Sequence, residues 1–138
     1  MTDMDPGSAA EQRLDLALQT MKSLFKADYP VQPRDGEPAN AADLNRLMVE
    51  HAFTDSWARS AMPPRTKSLI TIAMMVAMGQ SDELRSHVLG ALVLGISKEE
   101  IVEVLIHTLA YCGAPRTAAA WAIVRKVFAG WPPPARGD

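Results

Sequence analysis

Glu83 and His87 stand four residues apart in a stretch of helical periodicity, so one helix face carries a carboxylate and an imidazole together. An acidic neighbour one turn away can orient an imidazole and raise its proton affinity, which makes an acid–base dyad. Glu83 falls in the first turn of its helix, where the positive end favours the ionised form. The same spacing also describes an ordinary surface pair contributing roughly 0.2–0.5 kcal/mol. His87 lies between Leu84 and Ala91 on the apolar stripe, where a lone histidine is commonly a satisfied core group. On spacing alone both readings stay open. Arg65 and Lys67 open one helix and Arg85 lies near the start of the next. Cations at helix N-termini oppose the dipole, which either anion binding or simple solvation accounts for. His107 follows Glu103 by four and reads as a cation near a helix end; His51 reads as a polar edge. Trp57 and Trp121 read as apolar anchors for a core or a subunit interface. Tyr111 and the lone Cys112 precede Gly113-Ala114-Pro115 at a tight turn, where the phenol either packs or lines a pocket. No HExxH, GxGxxG, P-loop, GxSxG or EF-hand pattern accompanies them.

These residues need a scaffold, and the apolar period is helical throughout, with no sustained alternation. The expected architecture is all-α, a single domain of about six helices spanning residues 9–130, with residues 1–8 and 131–138 as disordered tails. The first helix is predicted over about residues 10–27, ended by Tyr29-Pro30. A loop with three prolines follows over 28–39. Asn40 is expected to cap a second helix whose stripe is Leu44, Leu47, Met48 and His51. Thr54 is expected to cap a short helix carrying Trp57. Pro63-Pro64 opens a third helix, apolar on all sides from Leu69 to Met78, as befits a central or subunit-covered helix. Gly79 stops it. Ser81 is expected to cap the fourth helix, which Gly95 ends. Ser97…Glu100 is a capping box for the fifth, which Gly113 closes, and Pro115 sits in the first turn of an Ala-rich sixth that ends near Gly130. Helices three to six read as two helical hairpins.

The chain has 138 residues and 48% hydrophobic side chains, enough to bury a core without disulfides. Its net charge of −2 lacks the basic surplus that nucleic-acid binding would need. Residues 1–62 carry 6 basic and 10 acidic side chains (−4), and residues 63–138 carry 8 and 6 (+2), which suits a small-anion site in the second half. One cysteine excludes an intramolecular disulfide, a CxxC pair and a Cys-rich metal site, and suits a reducing cytoplasm. The longest apolar run is about half the ~20 residues a spanning helix needs, and the first residues show no signal-peptide pattern, so no membrane association is expected.

Over residues 9–129 the chain resembles the carboxymuconolactone decarboxylase family. The resemblance rests on Pro64-Arg65-Thr66-Lys67-Ser68-Leu69 with Thr71-Ile72-Ala73, on Asp82-Glu83-Leu84-Arg85-Ser86-His87-Val88 with Gly90-Ala91-Leu92, and on Gly95 with Ser97…Glu100 and Glu103-Val104-Leu105. Tyr111-Cys112-Gly113-Ala114-Pro115, Asp43-Leu44-Asn45 and Ser56-Trp57-Ala58-Arg59 extend it. It implies a helical subunit assembling as a homo-oligomer, a trimer or hexamer and typically a hexameric ring. It also implies a cytoplasmic, cofactor-free carboxy-lyase of aromatic catabolism in the β-ketoadipate pathway, acting on the small anionic lactone 4-carboxymuconolactone. A peroxidase-like branch of the superfamily has CxxC and, three residues on, histidine. Here the positions are Gln80, Glu83 and His87, so thiolate chemistry is lost and the histidine is kept.

What the resemblance implies for roles is His87 as proton donor or shuttle, oriented by Glu83. Arg65 and Arg85 would hold carboxylates, and Trp57 and Tyr111 would form walls. No metal is expected. The loop over 29–37, Arg116 and Trp121 depart from the family's usual pattern, which points toward a related lactone or acid as a further possibility. The competing readings are a non-catalytic or differently specific small-molecule-binding member of the fold and an antioxidant protein, the latter disfavoured by the single Cys112.

Overall fold

The computed structural model describes residues 7–133, and among them the chain forms six α-helices, one π-helical segment and no strand. They fall into two compact units, Met1–Pro63 and Pro64–Asp138.

In the first unit α1 spans Ala9–Phe25. It starts at a capping box in which the Glu11 N–H donates to Ser8 Oγ (3.3 Å) and the Ser8 N–H donates to Glu11 Oε2 (2.6 Å). Ser8 therefore belongs to the helix and not to a tail; residues 1–6 lie outside the described part. The helix ends at Lys26, which turns left-handed (φ 54°), four residues before Pro30. Proline is thus not the stop.

α2 spans Ala41–Val49 and runs without a break into a π-helical segment, Glu50–Trp57. Asn40 precedes α2 in helical conformation and its side chain makes no capping bond. Thr54 is not a cap either: its hydroxyl donates to the Arg13 carbonyl (2.7 Å) inside the π-helical run. The predicted stripe faces outward. Leu44, Leu47 and Met48 are 59%, 65% and 48% exposed, while Val49 and Phe53 are buried. Polar pairing fixes that choice of face. Arg46 Nε donates to Glu50 Oε1 (2.8 Å), Arg13 Nη2 donates to Asp55 Oδ1 (2.8 Å), and Arg13 also lies 3.9 Å from Glu50. Glu50 is nearly buried among these cations, so its charge is paired, as burial demands.

In the second unit α3 spans Pro64–Met78, α4 Ser81–Val93, α5 Lys98–Cys112 and α6 Ala114–Ala129. α3 and α6 each pack on both α4 and α5. Ile72 and Val76 meet Leu84, Val88 and Ala91, with Ile101, Leu105 and Val124 closing the core. The turns are cut by glycine: Gly79 and Gly113 have φ of 69° and 83°, a region costly for any residue with a Cβ. The Ser97–Glu100 capping box forms as expected, the Glu100 N–H donating to Ser97 Oγ (3.1 Å) and the Ser97 N–H to Glu100 Oε2 (2.9 Å). Gln80, not Ser81, is the N-cap residue of α4, without a side-chain bond.

The all-round apolarity of α3 resolves into two faces. Ser68, Ile72 and Val76 point inward, and Ile70, Met74 and Met78 form an outer stripe 42–54% exposed. Trp131 is not tail-like: it packs against the core, and Lys98 Nζ donates to the Phe128 and Trp131 carbonyls (3.2 and 3.4 Å). Residues 134–138 lie outside the described part. Among the described residues no helix is long and apolar enough to cross a membrane.

Candidate active site

α4 carries the two residues singled out by spacing. Leu84, Val88 and Ala91 bury one side of the helix in the core. The adjoining strip holds Glu83 and His87 one turn apart, with His87 Nε2 3.9 Å from Glu83 Oε2. The two side chains differ sharply in solvation: His87 is 12% exposed and Glu83 66%. Burial pushes the imidazole below its ordinary value of 6.5, and the Glu83 carboxylate partly opposes that shift. The carboxylate by itself would raise the proton affinity of His87. Desolvation is the larger effect, so His87 is neutral at pH 7.

The predicted carboxylate holders sit in different surroundings. Arg65, in the first turn of α3, already faces a carboxylate: Nη2 donates to Glu100 Oε1 across to α5. Glu100 is held below the usual carboxylate range, first by the Ser97 backbone N–H and then by Arg65. The Glu100 carboxylate therefore serves both a helix cap and an inter-helix ion pair, and a substrate anion would compete with it for Arg65. Arg85 is exposed on α4 and forms no ion pair with another described residue.

Tyr111, near the end of α5, is 83% exposed, its ring 5.6 Å from that of His107. Trp57 belongs to the first unit, at the last residue of the π-helical segment. Its ring lies nearly parallel to that of Phe53 (6.5 Å), which in turn meets Phe25 edge-on (6.0 Å). Trp121 is half-buried on α6, with the Arg125 guanidinium 5.0 Å from its ring centre. Among the described residues no group of three or more His, Cys, Asp or Glu side chains is placed to hold a metal ion.

Sequence reasoning missed the partners more than the residues. From sequence Glu100 reads only as a cap, although an acidic side chain on α5 is an available partner for a cation on α3. The one signal for Glu50 in the sequence is Arg46 four residues earlier, an i,i+4 pair.

Residues 42–126 match the model of the carboxymuconolactone decarboxylase family. The chain is similar to the 4-carboxymuconolactone decarboxylase of Acinetobacter baylyi, 35% identical over 86 residues that make up 62% of this chain and 64% of that protein. It therefore spans somewhat less than two thirds of that relative's length. It is also similar to the nitrosuccinic acid decarboxylase of Metarhizium robertsii, 30% identical over 118 residues, 83% of this chain and 80% of that protein. The family match covers most of the chain, including the Glu83–His87 face, and the chain belongs to the carboxymuconolactone decarboxylase family.

Proposed function

We propose that the chain is a cofactor-free carboxy-lyase that releases CO₂ from 4-carboxymuconolactone, or a close lactone analogue, to give the β-ketoadipate enol-lactone. The observation that carries this reading is the nearly buried imidazole of His87 beside the water-facing carboxylate of Glu83 on α4. When CO₂ departs, its electron pair moves into the conjugated lactone carbonyl, and a proton must then reach carbon. A buried neutral imidazole does not hold that proton in the empty site. An anionic substrate arriving beside it favours the charged form, so binding itself loads His87 with the proton it delivers. Glu83 orients the ring. In this reading Arg85 and Arg65 attract the carboxylates, Arg65 exchanging Glu100 for substrate, with Tyr111 as a wall. Tyr111 is so exposed in one chain that a wall role requires a second copy to cover it. The outer stripes of α3 (Ile70, Met74, Met78) and α5 (Ile106, Leu109) support such a homo-oligomer, a trimer or hexamer, because large apolar faces are seldom left to water.

The longer match, to a nitrosuccinic acid decarboxylase, favours a second reading in which an acyclic nitro acid is the substrate. A nitro group can accept the electron pair as a conjugated carbonyl does, so the same proton delivery serves both. The test is CO₂ release by the purified chain given each acid separately, with His87→Ala beside it. Turnover of the lactone, lowered at least ~100-fold by the substitution, is expected. Turnover of the nitro acid alone would replace the first substrate by the second. A folded protein inert toward both would leave the non-catalytic binding role.

A further inference from the structure

A hollow of about 290 Å³ lies where the α3–α4 turn meets the start of α6. Val76, Leu84, Ala120 and Ile123 line it with buried or half-buried apolar side chains, and the exposed Gln80 and Arg116 add polar groups. Arg116 does not extend freely from α6. Its guanidinium bends over the turn at Gly79, so that a side-chain carbon built on Gly79 would lie 1.9 Å from Nη1. The left-handed backbone of Gly79 (φ 69°) favours glycine there, and the absence of a side chain leaves the space over the turn to the guanidinium. Arg13, Arg46 and Arg65 each hold a carboxylate, and Arg125 lies over Trp121. Arg116 has no hydrogen bond or ion pair with any described residue, and it lines an otherwise largely apolar hollow.

We propose that this hollow is a binding site for a small monocarboxylate with an apolar body. The guanidinium fork takes the carboxylate through two parallel N–H···O bonds, and the apolar lining takes the hydrocarbon. The volume lies at the lower end of the ~300–1,000 Å³ typical of ligand pockets, which limits the occupant to about one ring. Neither His87 nor Glu83 lines the hollow, so the site does not depend on the reaction proposed above.

Met75 lines the hollow and supplies the probe. The full-length chain with ¹³C-labelled methionine methyls is titrated with benzoate, and in parallel with benzyl alcohol, the Met75 signal being assigned from Met75→Leu. A saturable benzoate shift at Met75 is expected, unaffected by His87→Asn. Arg116→Gln should weaken it at least ~10-fold, with Arg116→Lys intermediate, and the neutral alcohol should bind at least ~10-fold more weakly than benzoate to the unmodified chain. Three results overturn the proposal: no saturable shift at Met75, undiminished benzoate binding in a folded Arg116→Gln, or a Met75 signal that moves with protein concentration alone. The last would mean that a second copy of the chain fills the hollow.

Discussion

Replacing Glu83 by glutamine separates an orienting carboxylate from a proton carrier, and the geometry sets the size of the effect. Glu83 Oε2 lies 3.9 Å from His87 Nε2, and the glutamate side chain is 66% exposed, so the interaction is screened nearly as in water. At that separation a water-like medium leaves about 1 kcal/mol between unit charges. A loss of that size corresponds to roughly a 5- to 6-fold fall in kcat/KM. The pH dependence adds a sign. His87 must be protonated to deliver a proton, so activity falls as pH rises through its pKa, which burial has already set below 6.5. Glu83 opposes that lowering, so Glu83→Gln should move the fall further toward acid. The assay is kcat/KM for CO₂ release from the lactone across pH 5–8 for the unmodified chain and Glu83→Gln. An unchanged rate and profile would remove Glu83 from the reaction. A loss of ~1,000-fold or more would be too large for a screened orienting charge and would make Glu83 the proton carrier.

Other predictions concern stability. Because the folded chain holds the His87 pKa below 6.5, the unfolded chain binds the extra proton first, so stability should fall as pH drops below 6.5. Glu100 and Asp55, also held low, lose their contributions only below their ordinary values of 4.5 and 3.8. A thermal-denaturation series from pH 7 to about 5 should therefore flatten in His87→Gln; an unchanged slope would mean that His87 is solvated in the fold. Ile72, fully buried at the centre of the second unit, should cost about 2–5 kcal/mol when cut to alanine, measured by urea denaturation. Ser97→Ala removes one half of the α5 capping box and should cost about 1 kcal/mol in the same assay.

Much of the scaffold follows from local chemistry that needs no tertiary partner. The Ser97–Glu100 box, Pro64 and Pro115 in first turns, and the glycines at 79 and 113 mark helix ends because capping and left-handed φ are properties of a few adjacent residues. The Ser8–Glu11 box carries the same signal, although the residues before it have tail-like composition. The pairing of Glu83 with His87 was equally legible, since four residues make one helical turn. What no local rule contained was which face each helix would bury. Leu44, Leu47 and Met48 have the spacing of a core stripe, yet Val49 and Phe53 are the buried residues and the cations around Glu50 settle the face. The partner of Arg65 lies 35 residues away on α5, and the guanidinium of Arg116 finds its place against a glycine in the α3–α4 turn. The chemistry of His87 turns on the same point. Its neighbour in sequence raises its proton affinity, but the three-dimensional packing that takes the imidazole out of water lowers it further, because desolvation depends on everything around a group and not on the residue one turn away.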